Sequence, residues 1–397
     1  MIYKFRVEVL TPLTISVREG FKGLIYKTLR DRIPGSTIKG AILTKAIREI
    51  DAREIVEYEV EDPQISVTPG YACPGSNYTL IDNLLPTHPL CYIWKGKDKV
   101  ETLDIAEFIN IFRKVRNVKE AYSTIIRRLG RLHIEYFKSR NILQSTCEIV
   151  FKPAIAAKSG SVWREVSVPT SAYLQVGMEK TSRRASPGLL YGYEYVKPGQ
   201  NYTGFIAGKR VEKLISIFGE EFEIKLGRGL SRGFGLAAIK LSRVDYEEFI
   251  KNSILRMIST GYLRKGEPVI LYSISPLVTK PLGEVVNSEV EGVIQLPTRW
   301  IARNVEEVNA SLKLKVYGAI SFGTRVYRGF SLRTVTPKIA VNSLVDGTLL
   351  VCEVMDVSGS EDELEKLLTY TLFYGLDYLS TQGYNHVLHV TLDPFLT

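Results

Sequence analysis

The chain has 397 residues, of which 45% are hydrophobic and 24% are charged, a composition that excludes long disordered stretches and allows two globular domains. Its 52 Lys and Arg residues exceed its 43 Asp and Glu residues by nine, which favours a polyanionic partner such as a nucleic acid. No apolar run reaches the roughly 18 residues that span a bilayer, so we expect no membrane partner.

The first predicted element is a strand over residues 2–17, in which apolar and polar residues alternate on both sides of a break at Pro12. An alternating N-terminus lacks the apolar core of a signal peptide. The sequence therefore predicts a cytoplasmic protein.

The second predicted element is a helix that begins near Thr37. Residues 33–40 read IPGSTIKG, in which the PG pair signals a turn and Ser36 is a natural N-cap. The unpaired N–H groups of a first helical turn attract anions. Because Lys39 lies within that turn, we expect an anion site here.

Residues 60–100 are rich in Pro, Gly and Asn and predict irregular structure, whereas residues 103–137 follow a helical pattern. Between residues 111 and 140, nine basic side chains stand against two acidic ones. Such a helix face is either solvated or binds nucleic acid, and the sequence leaves both open. We treat residues 60–150 as a mainly helical insertion.

The remaining pattern predicts short strands with few helices. Further strands are expected at 147–156, 163–168, 190–196, 201–207, 236–241, 267–275, 312–321, 348–357 and 386–392, with helices at 209–218, 243–265 and 360–379. This mixture indicates an α+β fold with one domain over 1–245 and a second over 262–397. Residues 195–199 and 343–347 each form a turn that precedes a strand, as a duplicated domain would.

A glycine-rich run at residues 227–235 has its glycines two, four and two positions apart. This spacing and the strand that follows exclude a dinucleotide-binding loop, and no Walker lysine follows. Glycines let a backbone approach a sugar-phosphate chain closely, and Arg228, Ser231 and Arg232 can bind phosphates. Phe234 can stack on a base or pack beneath the loop, and a hairpin with incidental arginines is the alternative.

The run resembles the C-terminal glycine-rich loop of the RAMP superfamily, the repeat-associated proteins of CRISPR effector complexes. The IPGSTIKG segment, the LTPL segment at residues 10–13 and the strand-turn-strand pattern at residues 190–206 resemble further elements of that family, in the family's order. These segments cover residues 1–241. The second half has no diagnostic motif.

The resemblance implies tandem ferredoxin-like (RRM-like) domains and a cytoplasmic antiviral type III CRISPR complex that holds guide RNA (crRNA). Its partners would be other RAMP subunits and the large polymerase-like subunit. The single-copy subunit that grips the 5′ handle of the guide is the best match; a 3′-end capping or backbone subunit is the alternative. The implied RNA contacts are Ser36, Lys39, Arg183, Arg184, Arg228, Ser231, Arg232 and Phe234.

The backbone subunits of such complexes have a catalytic aspartate in the loop before the IPGS element. Here that loop has only Glu19 and Asp31, and Asp31 lies too close to Pro34 to match. The sequence therefore predicts a protein that is not an enzyme and needs no cofactor. A metal-independent endoribonuclease that processes precursor crRNA stays as an alternative, because such enzymes use His, Tyr, Lys or Ser.

Histidine and cysteine offer little for such chemistry. His133 lies in the basic helix, and His386 and His389, three apart on a predicted strand, face opposite sides. The spacing of Cys73, His88, Cys91 and Cys147 matches no standard zinc finger. We therefore predict no metal site.

Overall fold

The computed structural model describes residues 1–15, 25–50, 57, 59, 61–94, 98–128, 149–178, 185–245, 249, 263–278, 292–305, 308–327, 330–331, 336–337, 341–390 and 394–396. The chain divides into two compact units. Unit 1 comprises Met1–Leu80 and Val166–Val244, and unit 2 comprises Ile81–Glu165 and Asp245–Thr397. Within the described ranges, no helix is long and apolar enough to cross a membrane.

The described strands of the first 244 residues are β1 (Ile2–Val9), β2 (Ile25–Tyr26), β3 (Arg32–Ile33), β4 (Ser66–Val67), β5 (Gly70–Cys73), β6 (Leu84–Pro86), β7 (Cys91–Trp94), β8 (Lys99–Thr102), β9 (Ile149–Val150), β10 (Ile155–Ser159), β11 (Val162–Glu165), β12 (Thr170–Met178), β13 (Ala185–Val196), β14 (Asn201–Ala207), β15 (Glu221–Lys225) and β16 (Leu236–Arg243).

The described strands of the remainder are β17 (Pro268–Ser273), β18 (Leu277–Val278), β19 (Gly292–Leu296), β20 (Ser311–Ile320), β21 (Thr324–Tyr327), β22 (Phe330–Ser331), β23 (Thr336–Pro337), β24 (Val341–Leu344), β25 (Leu349–Ser358) and β26 (Val387–Val390). The helices are α1 (Gly35–Ile50), α2 (Ile105–Val115), α3 (Arg210–Phe218), α4 (Arg299–Asn304) and α5 (Glu361–Phe373). Residues 118–128 are also helical.

Unit 1 is built on an antiparallel sheet with the strand order β15-β16-β1-β14-β5-β3. Taken along the chain, β1, α1, β5, β14, α3 and β16 form a β-α-β-β-α-β series in which the first and third strands are central. A separate three-stranded sheet has the order β12-β13-β2.

The core of unit 1 follows from the sequence pattern of β1 and α1. In β1, alternate residues Phe5, Val7 and Val9 are fully buried, as the two-residue period of a strand requires. In α1, Ile38 and Ile42 lie four apart on one helix face and join the same cluster. Burial of these apolar faces holds the helix against the sheet.

Unit 2 contains a second antiparallel sheet, with the order β19-β20-β25-β17-β26. Here β17, α4, β20, β25, α5 and β26 form the same series, again with the first and third strands central. Helix α5 begins with a capping box in which the side chains of Ser360 and Glu363 satisfy each other's backbone N–H groups.

Residues 81–165 form a six-stranded sheet with the order β6-β10-β11-β8-β7-β9. This sheet belongs to unit 2: the rings of Trp163 and Phe395 lie 4.8 Å apart, and those of His88 and Phe395 lie 5.3 Å apart. The predicted insertion over 60–150 is thus divided between the two units at Leu80.

One sequence prediction for this region is wrong. Residues 66–102 form five strands where irregular structure was expected, because strands of two to four residues are too short to show a two-residue period. The helical pattern predicted over 103–137 is confirmed at residues 105–115 and 118–128, and the two helical stretches are separated at Arg116, whose φ of 53° is a left-handed conformation that ends α2. Residues 129–137 lie outside the described residues. Most of the connector predicted over 243–265 lies outside the described residues.

Candidate nucleic-acid interface

The glycine-rich loop (Leu226–Leu236) joins β15 to β16 at one edge of the unit 1 sheet. Its four glycines all have φ between 75° and 80°, a region that other residues enter only with strain. A short 3-10 helix spans Leu230–Arg232 between two of them. The glycines therefore set the shape of the loop, as their spacing predicts.

The loop is fastened to the LTPL segment that follows β1. The N–H of Arg228 donates to the carbonyl of Thr14 at 2.9 Å, and the N–H of Gly235 donates to the carbonyl of Pro12 at 2.9 Å. The Oγ1 of Thr11 accepts from the N–H of Leu236 at 2.8 Å. Two sequence motifs, 225 residues apart, thus form one structural element.

The loop exposes two cations, and one of them lies beside an aromatic ring. Arg228, Ser231 and Arg232 are exposed. The guanidinium of Arg232 lies 5.6 Å from the centre of the Tyr193 ring, within range of a cation–π interaction. A guanidinium presents N–H donors in a planar fork that matches the oxygens of a phosphate.

The rings on this surface belong to the hairpin of β12 and β13. Tyr173 and Tyr193 are cross-strand partners, and Tyr195 lies two residues further along the same face. The half-buried Phe234 meets Tyr195 edge-on at 5.8 Å and Tyr173 at 6.5 Å between ring centroids. Tyr173 remains 50% exposed. A concavity on this surface is lined by Thr14, Tyr173, Tyr193, Arg228, Gly229, Arg232 and Phe234.

The tyrosines were not among the predicted site residues, although the sequence contains a signal for two of them. Residues 191–195 read YGYEY, and a two-residue period in a strand places alternate tyrosines on one face. Tyr173 gave no such signal, because its position depends on the pairing of β12 with β13. The predicted Arg183 and Arg184 lie outside the described residues.

The predicted contacts Ser36 and Lys39 lie on α1, a different element from the glycine-rich loop. Helix α1 follows β3, and four strands separate β3 from β15 in the strand order. Ser36 is in the first turn and not at the N-cap, because α1 begins at Gly35, where the carbonyl of Pro34 accepts from Ile38. The helix start and the glycine-rich loop are therefore separate features.

Lys39 is part of a buried ion-pair network. Its side chain is 11% exposed, and its Nζ donates to Oε1 of the fully buried Glu59 at 2.6 Å. Oε2 of Glu59 accepts from Arg210 at 3.0 Å. Removing one partner of such a network leaves a buried charge uncompensated, which costs about 3–5 kcal/mol. Lys39 thus fastens α1, and its ammonium is paired with Glu59 and not directed at solvent, contrary to the predicted anion site.

The basic stretch after residue 110 is partly paired with acidic residues of unit 2. Arg113 donates to Glu267 at 2.6 Å, Arg116 forms an ion pair with Glu353, and Arg128 with Glu107. Pairing reduces the local positive field that a nucleic acid would meet. Among the described residues of this stretch, the solvated reading therefore has more support than the nucleic-acid reading.

The histidines and cysteines that the structure describes are buried. His88, His386 and His389 are each at most 1% exposed, and burial lowers the pKa of His389 to about 4. Burial raises the pKa of Cys73 to about 11, which disfavours the thiolate that binds zinc. Among the described residues, no group of three or more His, Cys, Asp or Glu could hold a metal ion; His133 and Cys147 lie outside them.

A sequence profile of the RAMP superfamily matches residues 6–238, which is more than half of the chain. The chain belongs to the RAMP superfamily. The match includes the LTPL segment, α1, the β12–β13 hairpin and the whole glycine-rich loop. No curated protein sequence matches the chain.

Solved structures match the chain at low sequence identity and low TM-score. A chain in the cryo-EM structure of the type III-B Cmr-beta bound to cognate target RNA and AMPPnP is 13% identical, with a TM-score of 0.42; the match covers 88% of this chain and 86% of that one. A chain of the Csm3–Csm4 subcomplex of the type III-A interference complex is 14% identical, with a TM-score of 0.32 and coverage of 89% and 93%. A chain of oligomeric Cmr4 from Pyrococcus furiosus is 12% identical, with a TM-score of 0.24; the match covers 61% of this chain and 98% of that one.

Proposed function

We propose that this RAMP superfamily protein is a guide-RNA-binding structural subunit of a type III CRISPR effector complex. The observation that carries the proposal is the juxtaposition of Arg228 and Arg232 with Tyr173, Tyr193 and Phe234 on one surface of unit 1. Single-stranded RNA is bound by such a combination of cations for the backbone and rings for the bases.

Each part of the surface has a separate task in this proposal. The exposed guanidinium of Arg228 and the guanidinium of Arg232 bind phosphate oxygens through charge-assisted hydrogen bonds. The half-exposed ring of Tyr173 offers a face on which an unpaired base can stack. Gly233 is exposed, and a Cβ there would meet nothing within 4 Å, so this position allows the RNA backbone to approach the loop closely.

We further infer that the two units are tandem ferredoxin-like domains. What supports this is the shared β-α-β-β-α-β series with the first and third strands central, in β16-β1-β14-β5 and in β26-β17-β25-β20. We propose that the two domains span residues 1–245 and 262–397, the boundaries predicted from the sequence.

The proposed role is to hold RNA without cutting it. Asp31 of the loop before α1 pairs with Arg32 at 3.1 Å, and the described histidines are buried. Glu19 lies outside the described residues. A nuclease that cuts without a metal would need an exposed base within reach of a ribose hydroxyl, and the described residues of the interface include no histidine.

Within such a complex, we propose that the chain is the single-copy subunit at the 5′ handle of the guide. Support comes from its length and its two units, since backbone subunits that repeat along a guide have a single core and a shorter chain. Its partners would then be other RAMP subunits and the large polymerase-like subunit. A cap at the 3′ end of the guide is the alternative.

Sequencing of the RNA that copurifies with the tagged full chain, after cross-linking in its own cells, tests this proposal. Guide RNAs cross-linked within the repeat-derived 5′ end are the expected result. Cross-links confined to the 3′ end would overturn the 5′-handle assignment in favour of the alternative. Unrelated cellular RNA, or none, would overturn the guide-binding function itself.

A further inference from the structure

The glycine-rich loop of unit 1 has a counterpart in unit 2 that no sequence motif reveals. In each unit, the loop precedes the last strand of the β-α-β-β-α-β series: residues 226–236 lead into β16, and residues 376–386 lead into β26. Both loops contain a 3-10 helix, at Leu230–Arg232 and at Tyr378–Gln382. The two segments align without a gap at a constant offset of about 150 residues.

The backbone conformations of the two loops agree from the 3-10 helix onward, but they differ at the start of the loop, where Gly227 has φ of 75° and Asp377 has φ of −153°. Gly233 has φ of 80° and Gly383 has φ of 86°; two residues later, Gly235 has φ of 79° and Asn385 has φ of 60°. Left-handed residues other than glycine are uncommon, and asparagine is among the types that tolerate this conformation. The second loop thus keeps the shape with only one of the two glycines.

The anchoring hydrogen bonds agree as well. The N–H of Gly235 donates to the carbonyl of Pro12 at 2.9 Å, and the N–H of Asn385 donates to the carbonyl of Pro276 at 3.0 Å. One residue on, Leu236 donates to Oγ1 of Thr11 at 2.8 Å. In unit 2, the corresponding bond runs from the N–H of His386 to Oγ of Ser275, also at 2.8 Å.

The turn before the third strand supplies the same correspondence at a distant position. Gly199 has φ of 84° and donates to the carbonyl of Val9, at the end of β1, at 2.7 Å. Gly347 has φ of 83° and donates to the carbonyl of Ser273, at the end of β17, at 2.9 Å. These two turns are the similar segments at residues 195–199 and 343–347 of the sequence. Shared shape, anchors and turns indicate that one ancestral unit was duplicated.

The chemistry of the second loop differs from that of the first. Tyr378 stands at the position of Arg228, Gln382 at that of Arg232 and Tyr384 at that of Phe234. Both cations are gone, while a large side chain remains at the outer position, where Tyr378 is 59% exposed. Asp377, next to Tyr378, adds a carboxylate that disfavours a nearby phosphate.

We propose that the second loop is an RNA contact of a different kind, in which Tyr378 stacks on an unpaired base and no phosphate is neutralised. The inference rests on the proposed function, because the occupant of the second loop is argued from its counterpart in unit 1. An exposed ring on a fixed backbone loses little conformational entropy when a base stacks on it. The amide of Gln382 can donate to or accept from the edge of a base, which a cation cannot do in both senses.

The loop is held rigid for such a contact by side chains where unit 1 uses glycines. The carboxylate of Asp377 accepts from the N–H of Leu379 at 2.9 Å and from Nδ2 of Asn385 at 3.0 Å. Oδ1 of Asn385 accepts from the N–H of Val278 at 2.7 Å. Two side chains thus fix both ends of the turn on which Tyr378 is presented.

Binding of a labelled single-stranded repeat RNA by the full chain separates the two loops by their salt dependence. Tyr378→Ala should weaken binding by about tenfold, within the range measured for loss of one stacked base, and should leave the slope of log affinity against log salt unchanged. Tyr378→Phe keeps the ring and should bind within about twofold of the natural chain. Val293→Ala, at a side chain that is 52% exposed in β19, is the matched control.

Photo-cross-linking of the same RNA containing 4-thiouridine gives an independent readout. No Lys or Arg follows Lys366, so trypsin releases the second loop within the single peptide 367–397, and a cross-link to this peptide is expected. Normal affinity of Tyr378→Ala without that cross-link, while Arg228→Ala/Arg232→Ala loses binding, would overturn the second contact and leave the proposed function intact. Normal RNA affinity of Tyr378→Ala with a loss of assembly would identify a protein-docking surface and would also overturn it.

Discussion

Replacing Arg228 and Arg232 together with alanine is expected to lower the affinity of the full chain for guide RNA by about 100-fold at about 0.1 M salt. Each charge-assisted hydrogen bond contributes roughly 1.5–3 kcal/mol, and about 1.4 kcal/mol corresponds to a factor of ten. The slope of log affinity against log salt should fall by about 1.4, since a phosphate on a single strand contributes about 0.7. Titration of labelled RNA at several salt concentrations measures both quantities.

A matched control removes two cations from the same unit at another place. Lys213 on α3 and Arg243 at the far end of β16 are both exposed. Their joint replacement by alanine changes the net charge equally and should alter the affinity by about twofold or less, because exposed charges beyond a Debye length are screened. Equal losses in the two double variants would show that net charge, and not the loop, determines binding.

The second large effect is expected from Gly235→Ala, which should lower the thermal unfolding midpoint of unit 1 by roughly 6–12 °C. At φ of 79°, a Cβ on Gly235 would lie 2.0 Å from the carbonyl oxygen of Leu226. The N–H of Leu226 donates to the carbonyl of Gly235 at 2.7 Å, and this hydrogen bond closes the loop. We expect a loss of about 3 kcal/mol or more, from about 1–2 kcal/mol of left-handed strain and the displaced backbone. For a unit of this size, each kcal/mol shifts the midpoint by about 2–4 °C.

Gly233→Ala separates strain from collision. Gly233 has nearly the same φ, 80°, but a Cβ there would meet nothing within 4 Å. This variant should lower the midpoint by only about 2–8 °C, the effect of strain alone. If both variants unfolded at the same temperature, the close approach of the loop ends would not stabilise unit 1.

The glycine-rich loop could be predicted from the sequence because its information is local. Glycine spacing and the strand that follows limit the possible backbone, and the structure gives all four glycines a positive φ. The exposure of the two arginines could also be predicted, because charged side chains in a surface loop are mostly exposed. The alternation of apolar and polar residues in a strand is local in the same way. The strands at residues 201–207 and 236–241 were therefore also predicted within two residues.

The environment of Lys39 could not be predicted from the neighbouring sequence. Its position in the first turn of a helix suggests an anion site, but its partner Glu59 lies 20 residues further along the chain and is brought to it by folding. Tyr173 depends in the same way on the register of β12 with β13. The grouping of residues 81–165 with unit 2 depends on contacts as distant in sequence as that of Trp163 with Phe395. Long-range pairing leaves no periodic trace in a single sequence.

Whether this RAMP protein holds RNA or cuts it is tested most directly by incubating labelled repeat RNA with the purified full chain in EDTA. The RNA should shift to a slower complex in a native gel and remain at full length in a denaturing gel. Cleavage at a defined site would contradict the account, because it would require a metal-independent general acid and base, and a complete lack of binding would contradict it as well.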